Sequence, residues 1–183
     1  MADSNLTKRA FASAMKALMT ERPFEKISVG VLCDRCGLNR KSFYYHFKDK
    51  YDLVNWIFDT EFLPVVAEIS LNDIWDILLR MCRYMYNSHG FYRQALQITG
   101  QNAFSEHFRE MLYTAVMQYL QILFEGQAVT EFHVTFFADA IVCAIERWLQ
   151  KMSPETPECF IDQLRSCVYL SADKLYHSMP SDP

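Results

Sequence analysis

From residue 104 onward, apolar side chains return every third or fourth position for turn after turn. Phe104, Phe108, Met111, Leu112, Ala115, Tyr119, Ile122 and Leu123 form one run, and Val134, Phe137, Ala138, Ile141, Val142, Ile145, Trp148 and Leu149 a second. That period puts each set on one stripe of an α-helix and conflicts with the alternation a half-buried strand needs. The rhythm recurs at Leu6, Phe11, Ala14, Met15 and Leu18, at Leu53, Val54, Ile57 and Phe58, at Ile74, Ile77, Leu78, Met81 and Met85, and at Phe160, Leu164, Cys167, Val168, Ser171 and Leu175. Only 5 Gly and 6 Pro interrupt 183 residues, and 51% of the chain is hydrophobic, so the reading is all-α, with about nine helices.

Punctuation divides the chain. Arg22-Pro23 ends a first helix over roughly 6–21. Ser28 is a good N-cap for a short second helix that turns Leu32 and Cys36 inward and stops at Gly37, and Asn39 caps a third that runs through Phe47. A fourth starts near Asp49 and fades near Pro64. The expected organisation is an N-terminal three-helix module with helix four as linker, 1–60, and a larger helical body, 65–183. In the body, one helix ends before His89-Gly90, a shorter one covers Phe91–Thr99 ahead of Gly100, and the two long ones end before Glu125-Gly126 and near Ser153-Pro154.

Charge follows the same division. The net charge of -4 speaks against a nucleic-acid partner only as an average. Residues 1–52 hold ten Lys and Arg against six Asp and Glu, whereas residues 53–183 hold eight against sixteen. A basic end on an acidic body is the signature of a chain that meets a polyanion at one end.

Two short helices joined by Gly37-Leu38-Asn39 fit a helix-turn-helix over 28–47, whose second helix enters the major groove while the first crosses behind it. That second helix reads Arg40-Lys41-Ser42-Phe43-Tyr44-Tyr45-His46-Phe47. Arg40 and Lys41 can donate to guanine edges or phosphates, and Ser42 to a base or the backbone. Tyr44, Tyr45 and His46 offer donors at phosphate height, and Phe43 and Phe47, four apart, anchor the helix to the core. Lys50, in the first turn of helix four, is placed to hold a phosphate together with that helix's free N–H groups, and Ser28 is placed either to cap helix two or to do the same across the groove.

The stretch ISVGVLCDRCGLNRKSFYYHFKDKYDL resembles the DNA-binding motif of the TetR family, in which a Gly-led turn precedes a recognition helix ending in a Tyr-aromatic-His-Phe run, followed by a lysine. Gly37, Tyr44, Tyr45, His46, Phe47 and Lys50 occupy the motif positions, and the match covers residues 6 to about 60. The resemblance implies a bacterial transcription regulator in which Tyr44, His46 and Lys50 bind phosphates of double-stranded DNA while Arg40, Lys41 and Ser42 face bases. Two residues depart from the pattern: Lys41 stands where a small residue is usual, and Gly30 replaces a longer polar side chain that would supply a phosphate contact.

The same family implies a body that forms a homodimer and binds an effector. The wide apolar faces around 137–149 and 160–175 suit a four-helix interface between two copies, or the closure of the subunit's own core. Aromatic and Met side chains that can line an adaptable pocket for a small-molecule effector are Trp75, Met81, Tyr84, Met85, Tyr92, Phe108, Met111 and Leu112, with Phe91, Tyr113 and Met117 beside them. The stretches YMYNSHGFYRQALQITGQNAFSEHF and FHVTFFADAIVCAIERWLQKM resemble a TetR subgroup that includes dihydroxyacetone kinase regulators, which admits an activator working with a partner protein.

Other chemistries find little support. Cys33 and Cys36 have CxxC spacing, but no second pair or nearby His completes four zinc ligands, and all six cysteines are read as reduced thiols. No nucleophile-base grouping, phosphate-cradling glycine loop or cofactor motif is present, so no enzyme, metal or cofactor is expected. No run of about 18 uncharged apolar residues occurs, and the N-terminal MADSNLTKRAF lacks a signal core, which together predict a cytoplasmic chain without a membrane partner. The rival to a DNA-binding regulator is a coactivator or protein-interaction module that keeps the helix-turn-helix as scaffold.

Overall fold

Phe11, Met15, Leu18 and Met19 are buried along one stripe of the first helix, α1 (Ala2–Glu21), and that stripe fixes how the helix lies against the rest of the chain. The computed structural model describes residues 2–66, 74–100, 103–124 and 128–178. After α1 come a 3₁₀ turn (Phe24–Lys26), α2 (Val29–Cys36), α3 (Arg40–His46), α4 (Lys50–Val66), α5 (Ile74–Asn87), α6 (His89–Ala95), α7 (Phe104–Leu123), α8 (Glu131–Gln150) and α9 (Pro157–Ser178). Among the described residues there are nine α-helices and no strand, as the periodicity requires. The turn expected at Glu125-Gly126 and the last five positions, 179–183, lie outside the described residues.

Three boundaries differ from the sequence reading, each for a local reason. The 3₁₀ turn is too short to show a period; Pro23 sets its entry at φ -58 and the buried Phe24 ring fixes it. Helix α4 passes through Pro64 to Val66, because a proline one turn from a helix end removes a single ladder bond and leaves the preceding turns intact. Helix α6 starts at His89, two residues earlier than the apolar pattern, and stops at Ala95, short of Thr99. There His89 Nε2 lies 2.8 Å from the Leu149 carbonyl, and buried Phe91, Tyr92 and Ala95 outweigh the helical cost of Gly90.

The centre of the molecule is aromatic. Phe58 of α4 has its ring centroid 4.9 Å from Phe62, 5.2 Å from Phe104, 5.9 Å from Phe108 and 6.1 Å from Tyr92, so one side chain joins α4 to α6 and α7. Helices α7 and α8 pack along each other and α9 lies on α5. Trp148 closes the α8–α9 corner: its ring stacks on Phe160 at 4.7 Å and its Nε1–H donates to the Glu155 carbonyl at 3.0 Å.

Candidate nucleic-acid interface

Residues 28–47 are shaped by caps. The Ser28 hydroxyl accepts from the Val31 N–H at 3.3 Å and starts α2. Gly37 ends it at φ 67, left-handed backbone that a side chain resists, and the Leu38 N–H then reaches the Cys33 carbonyl at 3.0 Å. Asn39 Oδ1 accepts from the Ser42 N–H at 2.9 Å and starts α3. Along α3, Phe43 and Phe47 are buried edge-on against Phe11 at 5.2 and 6.3 Å, which locks the helix to α1. The rest of α3 therefore faces out: Arg40 and Lys41 are exposed, Ser42 and His46 half-buried, and the large rings of Tyr44 and Tyr45 are 59% and 81% exposed.

The start of α4 backs this surface. Asp49 Oδ1 takes the N–H groups of Tyr51 and Asp52, at 2.8 and 2.9 Å, and Asp52 takes the N–H of Lys48 at 2.9 Å. The N–H groups expected to hold a phosphate with Lys50 thus carry an intrinsic carboxylate. The Lys50 ammonium donates to the carbonyls of Phe24 and Ile27 at 2.8 and 3.0 Å and sits 4.1 Å from the centre of the Phe24 ring. Burial pulls it below the usual lysine range, and Glu25 works against that. Lys50 therefore staples the 3₁₀ turn, and with it the start of α2, to α4.

Gly30 explains where Arg40 lies. A Cβ built on Gly30 would stand 2.8 Å from Arg40 Nη2 and 3.5 Å from Ser28 Oγ. The guanidinium occupies the space a longer side chain at 30 would need, over the first turn of α2. A second link that spacing does not announce is Arg35–Glu21, at 2.5 and 3.2 Å, joining α2 to α1. The Arg35 guanidinium holds the Glu21 carboxyl below its ordinary range. Cys33 turns inward with Leu32, whereas Cys36, expected inside, is half-buried and donates to the Leu32 carbonyl at 3.0 Å. Burial pushes both thiols up, all six cysteines are free, and no group of candidate metal ligands occurs among the described residues.

Behind the interface, α4 is held by polar contacts to the body. Lys16 of α1 and Tyr84 of α5 both donate to Glu61 Oε2, and Asp59 pairs with His107 of α7 at 2.7 Å. The Tyr92 hydroxyl is buried without a hydrogen-bond partner among the described residues, and burial followed by the Glu61 charge pushes its ionisation up. Of the effector-pocket candidates, Met81, Met85, Tyr92, Phe108 and Leu112 are packed in the core, and Tyr84 and Met111 are half-buried. Trp75 alone among the eight reaches the wall of an apolar cavity of about 300 Å³ between α5, α7, α8 and α9. No helix among the described residues is long and apolar enough to cross a membrane.

Comparison with known proteins places this geometry. A model described as the transcriptional regulator C-terminal region matches residues 72–169, and one described as bacterial regulatory proteins, tetR family, matches residues 12–57. The HTH-type dhaKLM operon transcriptional activator DhaS of Lactococcus lactis is 25% identical over 144 residues, 78% of this chain and 74% of that protein. Among solved structures, the dihydroxyacetone kinase operon activator DhaS superposes with a TM-score of 0.66 at 20% identity, covering 90% of this chain and 95% of that one. A TetR transcriptional regulator from Streptococcus agalactiae gives 0.67 at 18% identity over 91% and 96% of the two chains. NalD, the secondary repressor of the MexAB-OprM efflux pump of Pseudomonas aeruginosa, gives 0.62 at 16% identity over 91% and 96%. At these identities the solved structures establish the fold, and the family matches establish the rest: the chain belongs to the TetR family of bacterial regulatory proteins and is a transcription regulator.

Proposed function

We propose that the chain works as a homodimer that reads a palindromic DNA site, with its affinity set by a small molecule bound in the body. The observation that carries the reading is the outer face of α3, where Arg40, Lys41, Tyr44 and Tyr45 are exposed while Phe43 and Phe47 anchor the helix from behind. Two exposed phenol rings, whose apolar bodies gain from leaving water, beside two cations on a rigidly capped helix suit a phosphate-lined groove. Lys41 and Ser42 are assigned to base edges. Tyr44, Tyr45, His46, Ser28 and Lys50 are assigned to phosphates, and Arg40, lying over the start of α2, joins them. The division into reading module, 1–60, and effector and dimerisation body, 65–183, goes with this assignment.

The dimer rests on α8 and α9. Phe132 and Phe136 are 76% and 59% exposed and stack at 6.4 Å on the outside of α8, with exposed Ala140 and Cys143 continuing the stripe, and Leu170 of α9 is 60% exposed. Each subunit offers two helices to such an interface. The relative from L. lactis is named an activator and NalD a repressor, and the same two-headed grip serves either sign.

Fluorescence anisotropy on duplexes from the chain's own upstream region tests the reading. Saturable binding that weakens steeply with salt is expected. Lys41→Ala should relax preference at one position per half-site, and Lys50→Ala should weaken all sequences alike. A parent protein that dimerises yet shows no saturable duplex binding overturns it in favour of a protein-interaction module.

A further inference from the structure

Among the described residues, none of the side chains that line the cavity between α5, α7, α8 and α9 is charged. Leu78, Val116 and Leu120 form its most buried part and are at most 4% exposed. Phe137, Ile141 and Leu164 make half-buried sides. Among the described lining residues, those with polar side-chain atoms are Trp75, Tyr119 and Tyr169. The Trp75 ring centroid is 6.1 Å from that of Tyr169 and 5.4 Å from the Arg165 guanidinium.

We infer that this cavity is a binding site for an uncharged, mainly apolar molecule of about two aromatic rings. Charge decides the class: the described lining residues offer an ion no charged partner, the neighbouring Arg165 guanidinium being engaged over the Trp75 ring, and a small polyol would leave hydroxyls unpaired. Volume decides the size. A site of about 150 Å³ accepts benzene, so about 300 Å³ takes roughly a dozen non-hydrogen atoms. The three aromatic rings of Trp75, Tyr119 and Phe137 favour a flat partner that can meet them edge-on or offset. The aromatic and Met candidates nearby do not serve, because Met81, Met85, Phe108 and Leu112 already fill their own space.

The site deepens the effector-controlled reading and rests on it for its consequence: α5 carries Tyr84 and α7 carries His107, which hold α4 through Glu61 and Asp59, so a ligand wedged against both helices acts on the element behind the DNA surface. Isothermal titration of the full chain with 1-naphthol, without DNA, tests the site itself. Saturable binding of one molecule per chain is expected, with 1-naphthalenesulfonate at least tenfold weaker. Leu164→Trp, which fills the half-buried side, and Val168→Asp, which puts a carboxylate at the 36% exposed rim, should each weaken naphthol at least tenfold while thermal melts stay cooperative. No saturable heat up to millimolar naphthol, equal binding of the sulfonate, or parent-like binding by both folded variants overturns the inference. Because the titration contains no DNA, a loss of operator binding falls on the regulatory reading and leaves the site standing.

Discussion

Gly37 and Gly30 show how differently one residue type can matter. A Cβ on Gly37 would meet nothing within 4 Å, so crowding does not select glycine there; φ 67 does. Left-handed backbone costs an ordinary residue about 1–2 kcal/mol, and Asn tolerates it better than Ala. Gly37→Ala should therefore lower the thermal midpoint by several degrees, and Gly37→Asn should recover much of the loss; equal melts for the two would show that the turn relaxes instead. At Gly30 the backbone is unstrained and space is the issue. A methyl there meets the Arg40 guanidinium at 2.8 Å, the far end of a long side chain that can swing away at little cost to folding. Gly30→Ala should not lower the melt, since Ala is the better helix former at this position of α2, and should weaken DNA binding, as Arg40→Ala does, with a salt slope reduced by about one for the latter. A change of base preference in Arg40→Ala would instead return Arg40 to the bases.

Among the elements, α4 is where two kinds of force can be separated. Phe58 is fully buried among four rings, whereas the Lys16–Glu61 pair is about a third exposed on each side. Truncating a buried aromatic costs about 3–5 kcal/mol, and a partly exposed ion pair is worth about 1 kcal/mol or less after solvent screening. Phe58→Ala should thus shift the urea midpoint several times further than Glu61→Gln. Comparable shifts would mean that the polar contacts, not the rings, hold α4. The rings were legible as a stripe in the sequence, since Val54, Ile57 and Phe58 repeat at helical spacing. The polar contacts were not. Lys16 and Glu61 are 45 residues apart and Asp59 and His107 48 apart, and no local pattern links positions that meet only when helices pack. The helix-turn-helix could be read because its signals are local, an N-cap, a left-handed glycine and another N-cap within twelve residues. The apolar cavity proposed as a binding site could not, because a cavity is a mismatch between four faces and each face taken alone looks like core.

For the whole molecule the deciding quantities are charge and valence. An N-terminal module of +4 on a remainder of -8 is repelled by DNA everywhere except at its reading face, which orients approach more than it adds affinity. One capped helix with a few phosphate donors makes a modest grip, and joining two heads raises it through an effective concentration near the millimolar range, a gain of about 10²–10⁴. In the proposed dimer that gain depends on the α8 face. Phe136 is 59% exposed within the chain, so Phe136→Asp costs the fold little, yet it would bury an uncompensated carboxylate in a paired interface. Sedimentation should then give the 21.5 kDa of one chain in place of twice that, with an unchanged melt at low concentration and DNA affinity at least a hundredfold weaker. A parent protein that already sediments as a monomer at micromolar concentration, or a monomeric variant that binds its site as tightly as the parent, would remove α8 from the interface and two-headed binding with it.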